Sequence, residues 1–180
     1  MKKISVNRQQ NDEKIEKDQR CGFIGLIGRP NVGKSTLLNQ LVGQKVSITA
    51  HKAQTTRNRI LGIRTVKNTQ MVFIDTPGIH PAKKLLNRKI VAYATETLRE
   101  TDLNLWLIEP LPENSLKKDG LSVLHREDQE ILKMLSGKEK RTVLVLNKID
   151  TILQEQALVN MEKLAKLGDF AEIVPISALK

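Results

Sequence analysis

A glycine-rich turn set between an apolar run and a helical run constrains this chain more than any other feature. Residues Gly28-Arg29-Pro30-Asn31-Val32-Gly33-Lys34-Ser35 fit the spacing GxxxxGK[ST]. Before them, Phe23-Ile24-Gly25-Leu26-Ile27 reads as a short buried strand; after them, Thr36-Leu37-Leu38-Asn39-Gln40-Leu41-Val42 reads as the start of a helix. Strand, glycine-rich turn and helix in that order form the setting of a phosphate-binding loop. The glycines let backbone N–H groups curl around an anion, and the helix points its positive end at the same place. In such a loop Lys34 reaches the outer phosphates and Ser35 offers a hydroxyl to Mg²⁺. The plainer alternative is an ordinary Gly/Pro turn carrying a surface lysine.

The 180 residues suffice for one α/β domain with a proper core. No apolar run is long enough to span a membrane, and the polar first twenty residues do not resemble a secretory signal. Asp12, Glu13, Glu16 and Asp18 break up the basic residues there, so residues 1–20 read as a solvated leader and 21–180 as the folded domain. Cys21 is the one cysteine, which excludes an internal disulfide and suits a reducing cytoplasm. The formal charge of +10 is concentrated: residues 21–74 carry eight Lys/Arg and no acidic residue, whereas 75–180 balance to zero. That suits a protein holding a polyanionic nucleotide. Arg57, Arg59, Arg64 and Lys67 exceed that need, so either a second anionic partner such as RNA or a generic basic surface accounts for them. With one Trp, one Tyr and three Phe, an aromatic platform for single strands is not expected.

Further strands are expected at 59–65 and 69–75, joined tightly at Lys67-Asn68, then at 103–108, 142–146 and 173–176. Helical spacing covers 85–99, 127–135 and 154–167, while 46–58 and 110–120 read as polar loops. Trp106 is expected in the core. The alternation implies a mostly parallel sheet flanked by helices, which binds nucleotides at the carboxyl ends of its strands.

The remaining motifs fall at those ends. Asp75-Thr76-Pro77-Gly78 closes a strand; Asp75 can hold Mg²⁺ through water, and the Gly78 N–H can bond a terminal phosphate. Asn147-Lys148-Ile149-Asp150 closes another. An aspartate at that place accepts from guanine N1–H and its exocyclic amine, donors that adenine lacks. A buried acceptor of this kind can discriminate by roughly 10⁴-fold. Lys148 offers its stem to the ring face and Asn147 can tie this turn to the phosphate loop; otherwise Asp150 is a helix N-cap. Ser177-Ala178 follows the last strand, where small residues let a backbone N–H approach guanine O6. An ATP-using enzyme such as a small kinase is the competing P-loop reading, and the Asn-Lys-Ile-Asp turn argues against it.

These residues in this order resemble the translation-factor-related GTPases and, more narrowly, the Era family, over about Phe23 to Ala178. Residues 28–39, Lys52-Ala53-Gln54-Thr55-Thr56-Arg57 and Asp75-Thr76-Pro77-Gly78-Ile79-His80 carry the likeness. It implies a P-loop GTPase fold and a switch that binds GTP and GDP and hydrolyses GTP slowly with Mg²⁺. It also implies a role in small ribosomal subunit assembly, with contacts to 16S rRNA and peripherally to the inner membrane; the chain is expected to be a cytoplasmic monomer. By resemblance Thr56 joins Ser35 and Asp75 at the metal, and Lys34, Thr56 and Gly78 act on the transferred phosphate. Ile79 stands where Ras-like enzymes carry a water-orienting glutamine, so turnover is expected to wait on a partner or an ion. Asn31 resembles a K⁺-binding asparagine, or else serves loop geometry. The family continues into an RNA-binding KH domain. Here that domain and the last helix of the GTPase fold are expected to be absent, and a non-catalytic remnant is the alternative reading. The stretch 110–126 is longer than the resemblance leads one to expect.

Overall fold

The computed structural model describes residues 19–43, 60–75 and 98–180. Six strands form one sheet: β1 (Arg20–Gly28), β2 (Ile60–Val66), β3 (Thr69–Asp75), β4 (Leu103–Ile108), β5 (Thr142–Leu146) and β6 (Glu172–Pro175). Their order across the sheet is β2-β3-β1-β4-β5-β6. Only β2 runs antiparallel, forming a hairpin with β3 over the pair Lys67-Asn68, where Lys67 takes the left-handed conformation with φ 51°. The mostly parallel sheet expected from the sequence is therefore present, and four of its helices are described: α1 (Lys34–Val42), α2 (Glu113–Leu116), α3 (Arg126–Leu135) and α4 (Gln154–Ala165).

Buried strand residues sort by the period of two onto opposite faces. Ile24, Leu26, Phe73, Leu107 and Val145 meet Val32, Leu37 and Leu38 of the α1 side. Ile27, Trp106, Ile108, Leu144 and Leu146 meet Leu111, Val123, Ile131, Leu135 and Leu164 on the other. Trp106 is fully buried, as expected, and its ring lies 5.8 Å from that of Phe170. Burial of whole aliphatic and aromatic side chains on both faces is the driving force that holds such a sheet. β1 runs three residues earlier than its apolar run, from Arg20, because β3 pairs with it from Arg20 while β4 joins only at Ile24.

α1 ends where Gly43 turns left-handed (φ 74°) and returns its N–H to the Asn39 carbonyl at 3.0 Å. Arg64 of β2 donates to the Leu41 carbonyl at the same helix end. One of the four surplus cations thus has an internal use; Arg57 and Arg59 lie outside the described residues.

The stretch expected as a polar loop at 110–120 is structured instead. Pro112 supplies the fixed φ that precedes α2, and Leu111, Val123 and Leu124 bury apolar side chains that a loop reading overlooks. The Leu111 N–H donates to Asn160 Oδ1 of α4 at 2.6 Å, pinning the insertion to the domain.

Candidate nucleotide-binding site

The register of the parallel strands sets one end of the sheet. Gly28 of β1 pairs with Leu107 of β4, and Leu107 with Val145 of β5. Leu26 pairs with Asp75, so β3 closes at the same end. Gly28, Asp75, Asn147 and Ser177 therefore converge although they are far apart in sequence. β1 lies where the order reverses, between β3 and β4, and that crevice is where open α/β sheets take ligands.

The Gly28–Ser35 loop curls at this crevice. Gly28 has φ 151° and a Cβ there would sit 2.6 Å from the Leu107 carbonyl, so only glycine fits. Gly33 has φ 101°, and a Cβ on it would collide with Asn147 Nδ2. Asn31 is also left-handed at φ 64°, a conformation asparagine tolerates better than most residues. Val32 turns inward and is fully buried, while Ser35 and Thr36 in the first turn of α1 are exposed. Lys34 donates to the carbonyls of Gly28 and Arg29, both at 2.7 Å, which holds its ammonium over the concave side of the loop.

Asn147 joins this loop to two others. Its buried side chain donates through Nδ2 to the Val32 carbonyl at 2.7 Å and accepts at Oδ1 from the Ala178 N–H at 2.9 Å. Its own N–H bonds the Ile108 carbonyl at 2.9 Å. The expected tie to the phosphate loop is thus present. Of the Ser177-Ala178 pair, whose small residues were expected to let a backbone N–H approach guanine O6, the Ala178 N–H is bonded to Asn147. Lys148 adopts φ 64° and opens the short turn Ile149–Thr151, so Asp150 sits inside a turn and is not the N-cap of α4, which is Leu153. Asp150 is exposed rather than buried. Chiefly Ser177, then its own N–H, Lys180 and Lys148, hold its carboxyl below the usual range, so it is ionised at neutral pH.

These pieces surround a cavity of about 220 Å³ lined by residues that include Asn31, Gly33, Thr36, Asn147, Lys148, Asp150 and Ala178. A second cavity of about 370 Å³ lies beyond Lys148, between the insertion and α4, with Glu109, Leu116, Gln156 and Asn160 in its walls. Thr56, Thr76, Pro77 and Gly78 lie outside the described residues, as do His51 and His80. His125, an exposed residue, N-caps α3 by accepting the Glu127 N–H at 3.4 Å.

Sequence reasoning missed a charged cluster beside the loop. Arg29 donates from Nε to Asp128 Oδ2 at 2.7 Å and from Nη2 to Glu109 Oε2 at 3.0 Å. Lys148 pairs with the same Glu109. Glu109 stands directly after β4, at the strand end that locates the other site residues, and that position was the available signal. Asp128 is 1 % exposed, and burial pushes its carboxyl up to about 6 against the opposing pull of Arg29.

The sequence profile of the 50S ribosome-binding GTPase family matches residues 23–148. The chain belongs to that family. Within it, the chain is 50% identical over 160 residues to GTPase Era of Syntrophus aciditrophicus, covering 89% of this chain and 49% of the relative. It is 49% identical over 162 residues to GTPase Era of Geobacter metallireducens, covering 88% and 50%. The chain spans about half the length of the curated relatives it matches. Among solved structures, Era in complex with MgGDPNP and nucleotides 1506–1542 of 16S ribosomal RNA superposes with TM-score 0.69 at 38% identity, over 90% of this chain and 52% of the other. An Aquifex aeolicus Era variant bound to GDP·AlF4⁻ gives 0.68 at 37% identity, over 89% and 52%. The P-loop GTPase fold expected from the sequence is the fold of this family member.

Proposed function

We propose that this chain is a guanine-nucleotide-binding GTPase domain of the Era type, hydrolysing GTP to GDP and phosphate as a switch in small ribosomal subunit assembly. The observation that carries the reading is the Asn147 amide, which joins the Val32 carbonyl to the Ala178 N–H around a cavity edged by Asp150. In this reading the loop cradles the phosphates and Asp150, ionised at neutral pH, reads guanine across the same small depression. Nothing in the described residues favours a remnant that has lost the site.

The residues fit the ligands that the reading needs. Gly28 and Gly33 let the loop pack against the Leu107 carbonyl and the Asn147 amide, where a Cβ would collide, and Lys34 reaches back over the loop to the Gly28 and Arg29 carbonyls. Loop N–H groups and the start of α1 take the β- and γ-phosphates, with Lys34 leaving its two carbonyls for the phosphate oxygens. Asp150 accepts from guanine N1–H and the exocyclic amine, and the Lys148 stem covers the ring. Ser35 and Asp75, joined by Thr56, would hold Mg²⁺, which supplies charge neutralisation between the outer phosphates when bound. Among the described residues no cluster of His, Cys, Asp or Glu forms a separate metal site. Asn31 lines the cavity and is a K⁺ ligand in this proposal. Gly78 and the residues after it complete the switch, with Ile79 in the place of a water-orienting side chain, so intrinsic turnover is slow.

An Era relative has been solved with a piece of 16S rRNA. Contact with that RNA, aided by the basic stretch 21–74, belongs to the proposal, as do a cytoplasmic location, a monomeric state and peripheral contact with the inner membrane. No helix among the described residues is long and apolar enough to cross a membrane.

Phosphate release from GTP tests the activity. The chain is expected to turn over slowly with Mg²⁺, faster in K⁺ than in Na⁺, and Lys34→Ala to lower the rate at least about 100-fold, the scale of losing one preorganised charge at the phosphates. An unchanged rate in Lys34→Ala would remove the assignment of this loop, and equal rates in K⁺ and Na⁺ would remove the role of Asn31.

A further inference from the structure

We propose that Glu109 is a positioning residue for the nucleotide base, holding Lys148 and Arg29 together so that one carboxylate sets both the phosphate loop and the base-reading turn. The proposal rests on the guanine-nucleotide reading above.

The geometry is specific. Glu109 leaves β4 at the ligand end of the sheet and presents its two oxygens to two different loops. Oε1 takes the Lys148 ammonium, and Oε2 takes Arg29 Nη2 at 3.0 Å. Arg29 is held a second time, through Nε, by Asp128, whose carboxylate is 1 % exposed. A planar guanidinium bonded to two carboxylates has little freedom to turn, so the Glu109 carboxylate is itself held in place. Lys148 gains the most from this anchor. Its backbone lies in the left-handed region, sparsely populated for a residue with a Cβ, and its long side chain has many rotamers. The same side chain lines both the cavity of about 220 Å³ that holds Asp150 and the cavity of about 370 Å³ behind it. It is a partition between two spaces, and Glu109 is what fixes the partition. Without the carboxylate the stem is free to swing into the larger space, leaving the ring face uncovered and the turn Ile149–Thr151 less constrained.

Glu109 touches neither phosphate nor base in this account; it acts through Lys148 and Arg29. Glu109→Gln keeps the shape and removes the charge. It is expected to weaken labelled GDP about tenfold, and to narrow the ratio of GDP to IDP affinity, since Asp150 on the loosened turn reads the 2-amino group that inosine lacks. Glu109→Asp, which keeps the charge on a shorter arm, recovers part of both losses. Lys148→Met is expected to weaken GDP similarly, and the double variant Glu109→Gln/Lys148→Met to bind no worse than the weaker single variant, because both act on one contact. A purely structural role lowers GDP and IDP binding together and leaves their ratio unchanged, and that result overturns the proposal. So does a double variant whose losses multiply. Should Glu109→Gln fail to fold, Glu109→Asp against Lys148→Met decides the same two questions. A wild-type chain that binds no GDP refutes the functional reading itself, before any variant is compared.

Discussion

Asn147 holds two loops with one amide. Its donor goes to the Val32 carbonyl and its acceptor receives the Ala178 N–H, and the side chain is 2 % exposed. Asn147→Ala deletes both bonds and strands a carbonyl and an N–H in a buried place. Unfolding in urea is expected to register a loss of about 2–4 kcal/mol, and GDP binding to weaken in the folded fraction. A loss near zero would mean that water replaces the amide.

Asp128 titrates in a way that separates it from ordinary carboxylates. Its value rises from 3.8 to about 6, chiefly by burial, with Arg29 and then His125 pulling it down and Glu127 pushing it up. A folded value above the unfolded one means the folded state binds the proton more tightly. That contribution is full below about 4, is lost as pH rises towards about 6, and is absent above. The neutral reference is Asp128→Asn, which does not titrate. On lowering the pH from 7 to 4.5, the wild type should gain about 2 kcal/mol relative to this variant in chemical unfolding. A relative loss over that interval would show that Arg29 outweighs burial.

At the scale of elements, the strands were the most legible part of the chain. β3, β4 and β5 fall on the apolar runs that announce them, because strands buried on both faces carry near-continuous hydrophobic sequence. The phosphate loop was equally plain, since glycine and lysine at fixed spacing leave few other uses. The insertion was not. Its apolar residues Leu111, Leu116, Leu121, Val123 and Leu124 sustain neither a period of 2 nor one of 3.6 along the insertion, and the partner that orders it, Asn160, is distant in sequence. The charged cluster escaped for the same reason: Arg29, Glu109 and Asp128 meet only because β1, β4 and α3 are neighbours in space.

Asn160 gives the insertion its testable anchor. Its Oδ1 takes the Leu111 N–H at 2.6 Å, and its Nδ2 donates to the Gln156 carbonyl at 2.7 Å. Asn160→Ala leaves the buried Leu111 N–H unpaired and is expected to destabilise by about 1–3 kcal/mol, with faster amide exchange across 111–124. Lys163→Ala, which removes a pair with an Asp119 carboxylate 89% exposed, should leave exchange there unchanged. The reverse ranking would place the anchor in the ion pair.

The whole molecule brings together features that are weak singly. The basic excess lies in residues 21–74, the part of the sequence that carries the glycine-rich loop, whereas residues 75–180 balance to zero. Parallel register then puts the ends of β1, β3, β5 and β6 on one rim. In the proposed function this rim holds a guanine nucleotide and refuses an adenine one. A fluorescence titration of the chain with labelled GDP, competed by unlabelled GTP and by ATP, tests it most directly. Displacement by GTP with none by ATP at the same concentration is the predicted result; equal displacement by both, or no binding of labelled GDP, would contradict it.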